Sequence, residues 1–139
     1  QVNQHSEFTG FGTLHAAMPN IEEEIERIVA MNLRGIKMHP DSQVFAIDDV
    51  RLFPAYEILQ DQQIPVMFHM GDHRYDYSHP ARLHHLLELF PKLQVIAAHF
   101  GGYSMYETAY ELLKNKDCYF DISSSLMFIL IQLSQSDFL

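Results

Sequence analysis

The stretch Ile64-Pro65-Val66-Met67-Phe68-His69 is the strongest indication of the fold, because its pattern of a short apolar run closed by histidine occurs three times in the chain. The other two copies are Gly35–His39 and Leu93–His99, so the closing histidines, at positions 39, 69 and 99, stand 30 residues apart. Runs that are apolar on both faces are typical of parallel strands that helices cover. Because 30 residues is about the length of one strand plus one helix, the period predicts a series of βα units.

Each predicted strand is followed by residues with helical spacing of apolar side chains. Asn20 with Glu23, and Ser104 with Glu107, resemble capping boxes, in which side chains at the start of a helix bond its free backbone N–H groups. Pro80 suits the first position of a helix. The predicted helices cover residues 21–31, 52–59, 80–90 and 104–114.

Two further strands are predicted beside the three that end in histidine. Phe8–Leu14 alternates before the first helix, and Cys118–Ile122 supplies a fifth strand after the last. A complete barrel of eight βα units needs about 250 residues, whereas this chain has 139. The predicted fold class is therefore α/β, with parallel βα repeats in a small open sheet or a partial TIM (β/α)8 barrel.

Composition excludes several classes of partner. The chain has 9 Lys and Arg against 18 Asp and Glu, a net charge of −9, and its basic residues are scattered, which argues against nucleic acid. Its longest apolar run, Leu126–Ile131, is far shorter than the roughly 20 residues of a membrane span. The single cysteine, Cys118, excludes an intrachain disulfide and a cysteine-based zinc cluster. It is compatible with a reducing compartment, so we expect a cytoplasmic protein without membrane or nucleic-acid partners.

Imidazole and carboxylate groups gather at the predicted strand ends. His15, His39, His69, His99 and Asp121 all lie at or just past the carboxyl end of a strand, where parallel α/β folds bind their ligands. These side chains are the ligands of catalytic Zn²⁺ sites. His69 and His99 each close a strongly apolar strand before a glycine-containing turn, which favours a functional role. For His39 a functional role and a purely structural turn both stay open.

Strand alternation predicts which side chains share a face. Met67 shares a face with His69, and Ala97 shares one with His99, because side chains alternate with a period of two along a strand. If both faces point into one barrel lumen, the two imidazoles meet around one point.

Two basic residues are candidates for binding a substrate. Lys37 shares a face with His39 and is costly to bury unless paired, so it is either the partner of a substrate or carboxylate or a surface charge. Arg74 lies in the polar and aromatic stretch Met70–His79, which would cover the site as a βα loop. Its guanidinium is the best candidate in this loop for holding an anionic group, whereas Asp72, Asp76 and His79 can equally belong to a solvated connection.

Four motifs at the strand ends resemble those of the amidohydrolase-related family of TIM-barrel, metal-dependent hydrolases. The resemblance extends from about Phe8 to Phe128, so we expect a partial amidohydrolase-related TIM-barrel domain over residues 1–128 and an atypical C-terminal tail over residues 129–139. The motifs are Gly35–Pro40, Val66–Asp72, Val95–Gly102 and Tyr119–Ser125.

The resemblance implies a divalent metal, usually zinc. It assigns His69 to the metal, and His99 either to the metal as a second ligand or to general acid/base catalysis beside it. Lys37, His39 or Arg74 would orient the substrate. The family also uses an H-x-H pair on its first strand and an aspartate on its eighth, and no segment of this chain matches either.

The reaction implied by the resemblance is hydrolysis of an amide, ester or lactone bond in a small molecule by a metal-activated water. Some members of the family are decarboxylases that polarise their substrate in the same way. A rival from another class is a non-catalytic α/β half-barrel that self-associates, since its open sheet edges would otherwise be exposed. A homo-oligomer is therefore a further expectation, and activity is expected of an intact relative with all of the family's motifs.

Overall fold

Four short parallel strands form one sheet in the computed structural model, which describes residues 5–126. They follow each other in the order β1-β2-β3-β4, and Val66 pairs with Ile36 on one side and with Val95 on the other. The sequential order of parallel neighbours confirms the predicted α/β class with βα repeats. The strands are β1 (Ile36–Met38), β2 (Val66–Phe68), β3 (Val95–Ala97) and β4 (Tyr119–Phe120).

Helices connect the strands as the periodicity predicts. Four of them, α1, α3, α4 and α5, confirm the predicted helices, and α4 begins at Pro80 as expected. One short helix, α2, was not predicted. The helices are α1 (Ile21–Ala30), α2 (Pro40–Gln43), α3 (Phe53–Asp61), α4 (Pro80–Leu89) and α5 (Tyr106–Leu113), with 3-10 turns at Val50–Leu52 and His99–Gly101.

The two faces of the sheet differ in burial. Ile36, Phe68 and Val95 are fully buried in the core that the helices cover. Lys37 and Met67, which alternate with them, are only half-buried. One face of the sheet therefore supplies the apolar core, and the other face is less buried.

The predicted strand Phe8–Leu14 is wrong, because only Gly12 in it joins the sheet. Gly12 donates its N–H to Gly35 O at 2.8 Å and accepts from the N–H of Lys37 at 2.8 Å, which makes a single parallel bridge. A Cβ atom at this position would lie 2.6 Å from the Cδ1 atom of Ile28 in α1, so a side chain here would displace the side chain of Ile28. The same glycine weakens the strand, because it has no side chain to pack against neighbours.

Neither predicted capping box forms. Asn20 bonds the side chain of Glu23 instead of a backbone N–H. Ser104 lies outside α5, and its hydroxyl bonds Gly71 O and the ring of His73 in another loop. At Ser104 a distant loop has replaced the local partner that the motif predicts, whereas Asn20 bonds a local side chain in place of the backbone.

None of the helices within residues 5–126 is long and apolar enough to cross a membrane. The predicted tail at residues 129–139 lies outside the described residues.

Candidate active site

The histidines that close β1, β2 and β3 meet at the carboxyl edge of the sheet. The N–H of His69 donates to Met38 O at 3.0 Å, which ties the end of β2 to the end of β1. A cavity of about 420 Å³ opens at this edge. It is lined by the three histidines and by residues of the following loops, among them Asp41, Ser42, Asp72, Arg74, Tyr103 and Ser124.

His69 and His99 are in direct contact, with His69 Nδ1 at 3.0 Å from His99 Nε2. The prediction that strand alternation brings His99 to the face of His69 is wrong. Ala97 pairs with Phe68, and both are fully buried on the helix-covered side, so Ala97 does not share the face of His69. His99 reaches the cavity because it and Phe100 have left-handed backbones, with φ of 58° and 53°. This turn after β3 redirects the imidazole from the core to the site.

His69 is the most constrained residue of the site. It is 8% exposed, and its ring stacks on that of His39 with centroids 3.9 Å apart and planes 9° from parallel. Its Nε2 atom is buried without a hydrogen-bond partner. Burial, and then the positive charges that His39, His99 and Lys37 can carry, lower the pKa of His69 to about 4. The ring is therefore neutral at pH 7, with a lone pair on one nitrogen.

The hydrogen bonds of His99 determine which nitrogen of His69 has that lone pair. His99 Nδ1 lies 2.7 Å from Ser123 O, a carbonyl that can only accept, so this nitrogen carries the proton. The other nitrogen of a neutral His99, Nε2, is then an acceptor, and His69 Nδ1–H donates to it. The free lone pair of His69 is consequently on Nε2, the buried atom without a partner.

Asp41 is a buried carboxylate that was not among the predicted site residues. Its Oδ1 accepts from the N–H of Ser78 at 3.1 Å, and its Oδ2 accepts from the hydroxyl of Ser78 at 2.5 Å. The same Oδ2 lies 3.7 Å from His69 Nε2. The sequence feature that could have identified Asp41 is its position two residues after His39, in a loop at the end of a strand.

Three residues bring possible metal ligands together. Donor atoms of His39, Asp41 and His69 lie within 4.8 Å of one another in the part of the chain that the structure describes. Both ring nitrogens of His99 are instead engaged, by His69 and Ser123. His39 Nδ1 accepts from the N–H of Ser42 at 3.3 Å and caps α2, so His39 also has the structural role that was left open.

Two of the predicted substrate-binding residues, Arg74 and Lys37, lie in different cavities. Arg74 lines the cavity, but its guanidinium grips both carboxylate oxygens of Asp72. This pairing holds the pKa of Asp72 at about 2. Lys37 lies with His39 in a second cavity of about 530 Å³ between β1 and α1. Burial lowers the pKa of Lys37, and the charge of Asp121 opposes that shift.

His15 and Asp121, two other candidates at strand ends, form hydrogen bonds outside the 420 Å³ cavity. His15 Nε2 donates to Gln43 O at 2.9 Å, and its Nδ1 accepts from the N–H of Ala17. Asp121 accepts from the N–H and hydroxyl of Ser123 at 2.6 and 2.5 Å. Asp121 therefore shapes the loop that supports His99, and neither residue lines the 420 Å³ cavity.

A parallel βα sheet with histidines and carboxylates at its carboxyl edge defines a partial TIM barrel with a candidate metal site. The profile of the amidohydrolase family matches residues 5–136, so the chain belongs to this family. No curated protein sequence matches the chain significantly.

Solved TIM-barrel structures share the fold. An uncharacterised TIM-barrel protein from Bordetella bronchiseptica superposes with a TM-score of 0.71 at 22% identity, over 91% of this chain and 49% of that one. Dihydroorotase from Campylobacter jejuni superposes with 0.64 at 24% identity, over 91% and 39%. The 5-carboxyvanillate decarboxylase LigW from Sphingomonas paucimobilis gives 0.55 at 14% identity, over 95% and 61%. The chain thus spans half or less of the first two structures.

Proposed function

We propose that this chain forms part of the active site of a metal-dependent hydrolase that cleaves an amide, ester or lactone bond in a small molecule. The observation that carries the proposal is the buried Nε2 of His69, which has no hydrogen-bond partner and faces the carboxylate of Asp41 at the carboxyl edge of the sheet. A neutral imidazole nitrogen beside a carboxylate fits a divalent cation such as zinc, because these are ligand types that such ions take.

In this proposal His69 holds the metal, and His99 is either a second ligand or the proton-transfer group. A bound divalent cation would lower the pKa of water and polarise a carbonyl group. As the proton-transfer group, His99 would take up a proton at Nε2, the atom that accepts from His69 Nδ1 in the structure. That proton would end the hydrogen bond from His69 Nδ1–H, because both nitrogens would then be donors, and the ring would be held by its bond from Nδ1 to Ser123 O.

The residues that would orient the substrate lie on two sides of His69. His39 covers one face of the His69 ring. Arg74 is at the mouth of the cavity with a side chain that is 64% exposed, so it can meet an anionic group while it remains bonded to Asp72. Lys37 is farther toward α1 and would serve a longer substrate.

Decarboxylation of an aromatic carboxylic acid is the second candidate reaction. The fold is shared with a dihydroorotase and with a 5-carboxyvanillate decarboxylase, and polarisation of a bound substrate serves both reactions. A small-molecule substrate and a cytoplasmic location without nucleic-acid partners are proposed with either reaction.

The test is a panel of lactones, amides and aromatic carboxylic acids assayed with and without Zn²⁺. It is run on this chain and on a longer protein that carries it, each beside its His69→Ala variant. We expect zinc-dependent hydrolysis that is lost in His69→Ala. Release of CO₂ from the acids would identify the decarboxylase, and a zinc-loaded protein that turns over none of the three classes would contradict both reactions.

A further inference from the structure

The Asp41 carboxylate is buried and faces the ring of His69 instead of a lysine or an arginine. Asp41 is 8% exposed, and no Lys or Arg nitrogen in the described part of the chain lies within 4 Å of its carboxylate. Ser78, which is fully buried, supplies the two hydrogen bonds that the carboxylate accepts. Two neutral donors compensate only part of the cost of removing a carboxylate from water, so a cation is expected beside it.

The side of the carboxylate that faces the cavity also faces His69. Ser78 fixes the carboxylate so that Oδ2 lies 3.7 Å from His69 Nε2, which is too long for a hydrogen bond. The chain of hydrogen bonds from Ser123 through His99 leaves the lone pair of His69 on that Nε2 atom. Asp41 Oδ2 and His69 Nε2 are therefore two buried hydrogen-bond acceptors that face each other without a proton between them.

The separation of these two atoms fits one ion. Ligand atoms about 2.1 Å from a tetrahedral Zn²⁺ lie roughly 3.4 Å apart, and the observed 3.7 Å is close to that value. His39 is less suitable as a ligand. Its ring is parallel to that of His69 at 3.9 Å, so one ion cannot lie in the planes of both rings, and its Nδ1 already caps α2.

We propose that Asp41 Oδ2 and His69 Nε2 together bind one divalent cation, and that Ser78 is a positioning residue that aims the carboxylate at the ion. His39 stacks on the ligand His69, and His99 orients it. This assignment deepens the proposed function by naming a carboxylate ligand on the loop after β1. It requires only that the metal binds here, and it holds whichever bond the protein cleaves.

The test measures metal binding directly on the 139-residue chain. Zn²⁺ affinity is measured by calorimetry, and the visible absorption of bound Co²⁺ reports the ligands. The variants are Asp41→Asn, His69→Ala and Ser78→Ala. Asp72→Asn is the matched control, because Asp72 lines the same cavity and is equally buried, at 5%, but is paired with Arg74. Circular dichroism verifies that each variant is folded.

We expect Asp41→Asn and His69→Ala to weaken Zn²⁺ binding at least about tenfold and to change the Co²⁺ spectrum. Ser78→Ala should change the Co²⁺ spectrum with a smaller loss of affinity, and Ser78→Thr should restore both. Asp72→Asn should stay within about threefold of the unmodified chain. Unchanged affinity and spectrum in folded Asp41→Asn would overturn the assignment, as would a chain that binds no Zn²⁺ at millimolar concentration. Normal metal binding without turnover would contradict the proposed hydrolase and leave the ligand assignment standing.

Discussion

At the residue scale, His69 is unusual because it is buried, neutral and has one ring nitrogen without a partner. Buried polar atoms without a hydrogen bond are rare in folded proteins, since each costs free energy. The cost is tolerated here because the stack on His39 and the bond to His99 hold the ring in place. A bound cation would remove the cost, which connects the energetics of the residue with its proposed role.

The depressed pKa of His69 predicts acid sensitivity of the metal-free chain. The unfolded chain binds a proton at His69 near pH 6.5, and the folded chain only near pH 4. The unfolded state therefore holds more protons between these values, and the free energy of unfolding falls as the pH is lowered from about 6.5 to about 4, by up to about 3 kcal/mol. Urea unfolding in EDTA at several pH values measures this loss.

Two variants separate His69 from the other histidines in that measurement. His69→Asn should lose the part of the pH dependence between pH 6.5 and 4 that His69 supplies. His85→Asn should retain it, because His85 is exposed at the surface and bonds Asp48. Equal pH dependence in His69→Asn and the unmodified chain would show that another group is responsible.

A substitution of His99 distinguishes its two proposed roles in an active protein. If His99 transfers protons, His99→Asn should leave the metal content nearly unchanged and lower turnover by about 10² to 10⁴. If His99 is a ligand, metal content should fall with turnover. Metal analysis and kcat are measured together, with His69→Asn as the control that loses metal in either case. An His99→Asn protein with normal metal and normal turnover would leave His99 as a hydrogen-bonded residue at a strand end.

At the element scale, the loops after β2 and β3 form one unit that carries the site. Tyr103 donates its N–H to Met70 O at 2.8 Å, and Ser104 donates its N–H to Gly71 O at 2.9 Å. Gly71 has a φ of 68°, and a Cβ atom there would lie 2.3 Å from the Cα atom of Gly102. The two loops can approach this closely only because position 71 is glycine.

Gly71→Ala is therefore expected to separate the loops that support His69 and His99. We expect it to lower the free energy of unfolding by about 2 kcal/mol or more, because the added methyl group meets backbone and the positive φ disfavours alanine. Urea unfolding measures the loss, and NMR of the two histidine rings reports whether their contact survives. A fully stable variant with unchanged ring signals would contradict this description of the loops.

At the scale of the whole molecule, β4 is an edge strand that pairs only with β3 within the described part of the chain. Tyr119 and Phe120 of β4 are 65% and 41% exposed, and Ile122 after the strand is 56% exposed. Open strand edges with apolar side chains favour pairing with another chain. In a complete TIM barrel the next βα unit would cover this edge.

We therefore expect the chain to self-associate through the edge of β4. Sedimentation at rising concentration should show species larger than the monomer, and Tyr119→Lys combined with Ile122→Lys should shift the chain to monomer. Val44→Lys, at an equally exposed apolar residue far from β4 in the sequence, is the control that should change nothing. A well-folded monomer at high concentration would exclude the self-associating half-barrel.

The sequence was sufficient to predict the order of strands and helices and the strand-end positions of three histidines. It could do so because βα units impose a local period, and because an apolar run closed by a polar residue marks the end of a buried strand. The same local reasoning failed at Phe8–Leu14, which forms one bridge instead of a strand. It also failed at the capping boxes, where Ser104 bonds a distant loop and Asn20 bonds the side chain of Glu23.

Which groups meet at the site depends on packing between distant parts of the chain. Asp41 and Ser78 are 37 residues apart and become partners because α2 and the loop after β2 share one edge of the sheet. His99 points into the cavity through a left-handed turn that strand alternation does not predict. The lone pair of His69 is assigned to Nε2 by Ser123 O, a carbonyl 54 positions further along the chain. Such pairings depend on how the chain packs in three dimensions, and no spacing in the sequence encodes them directly.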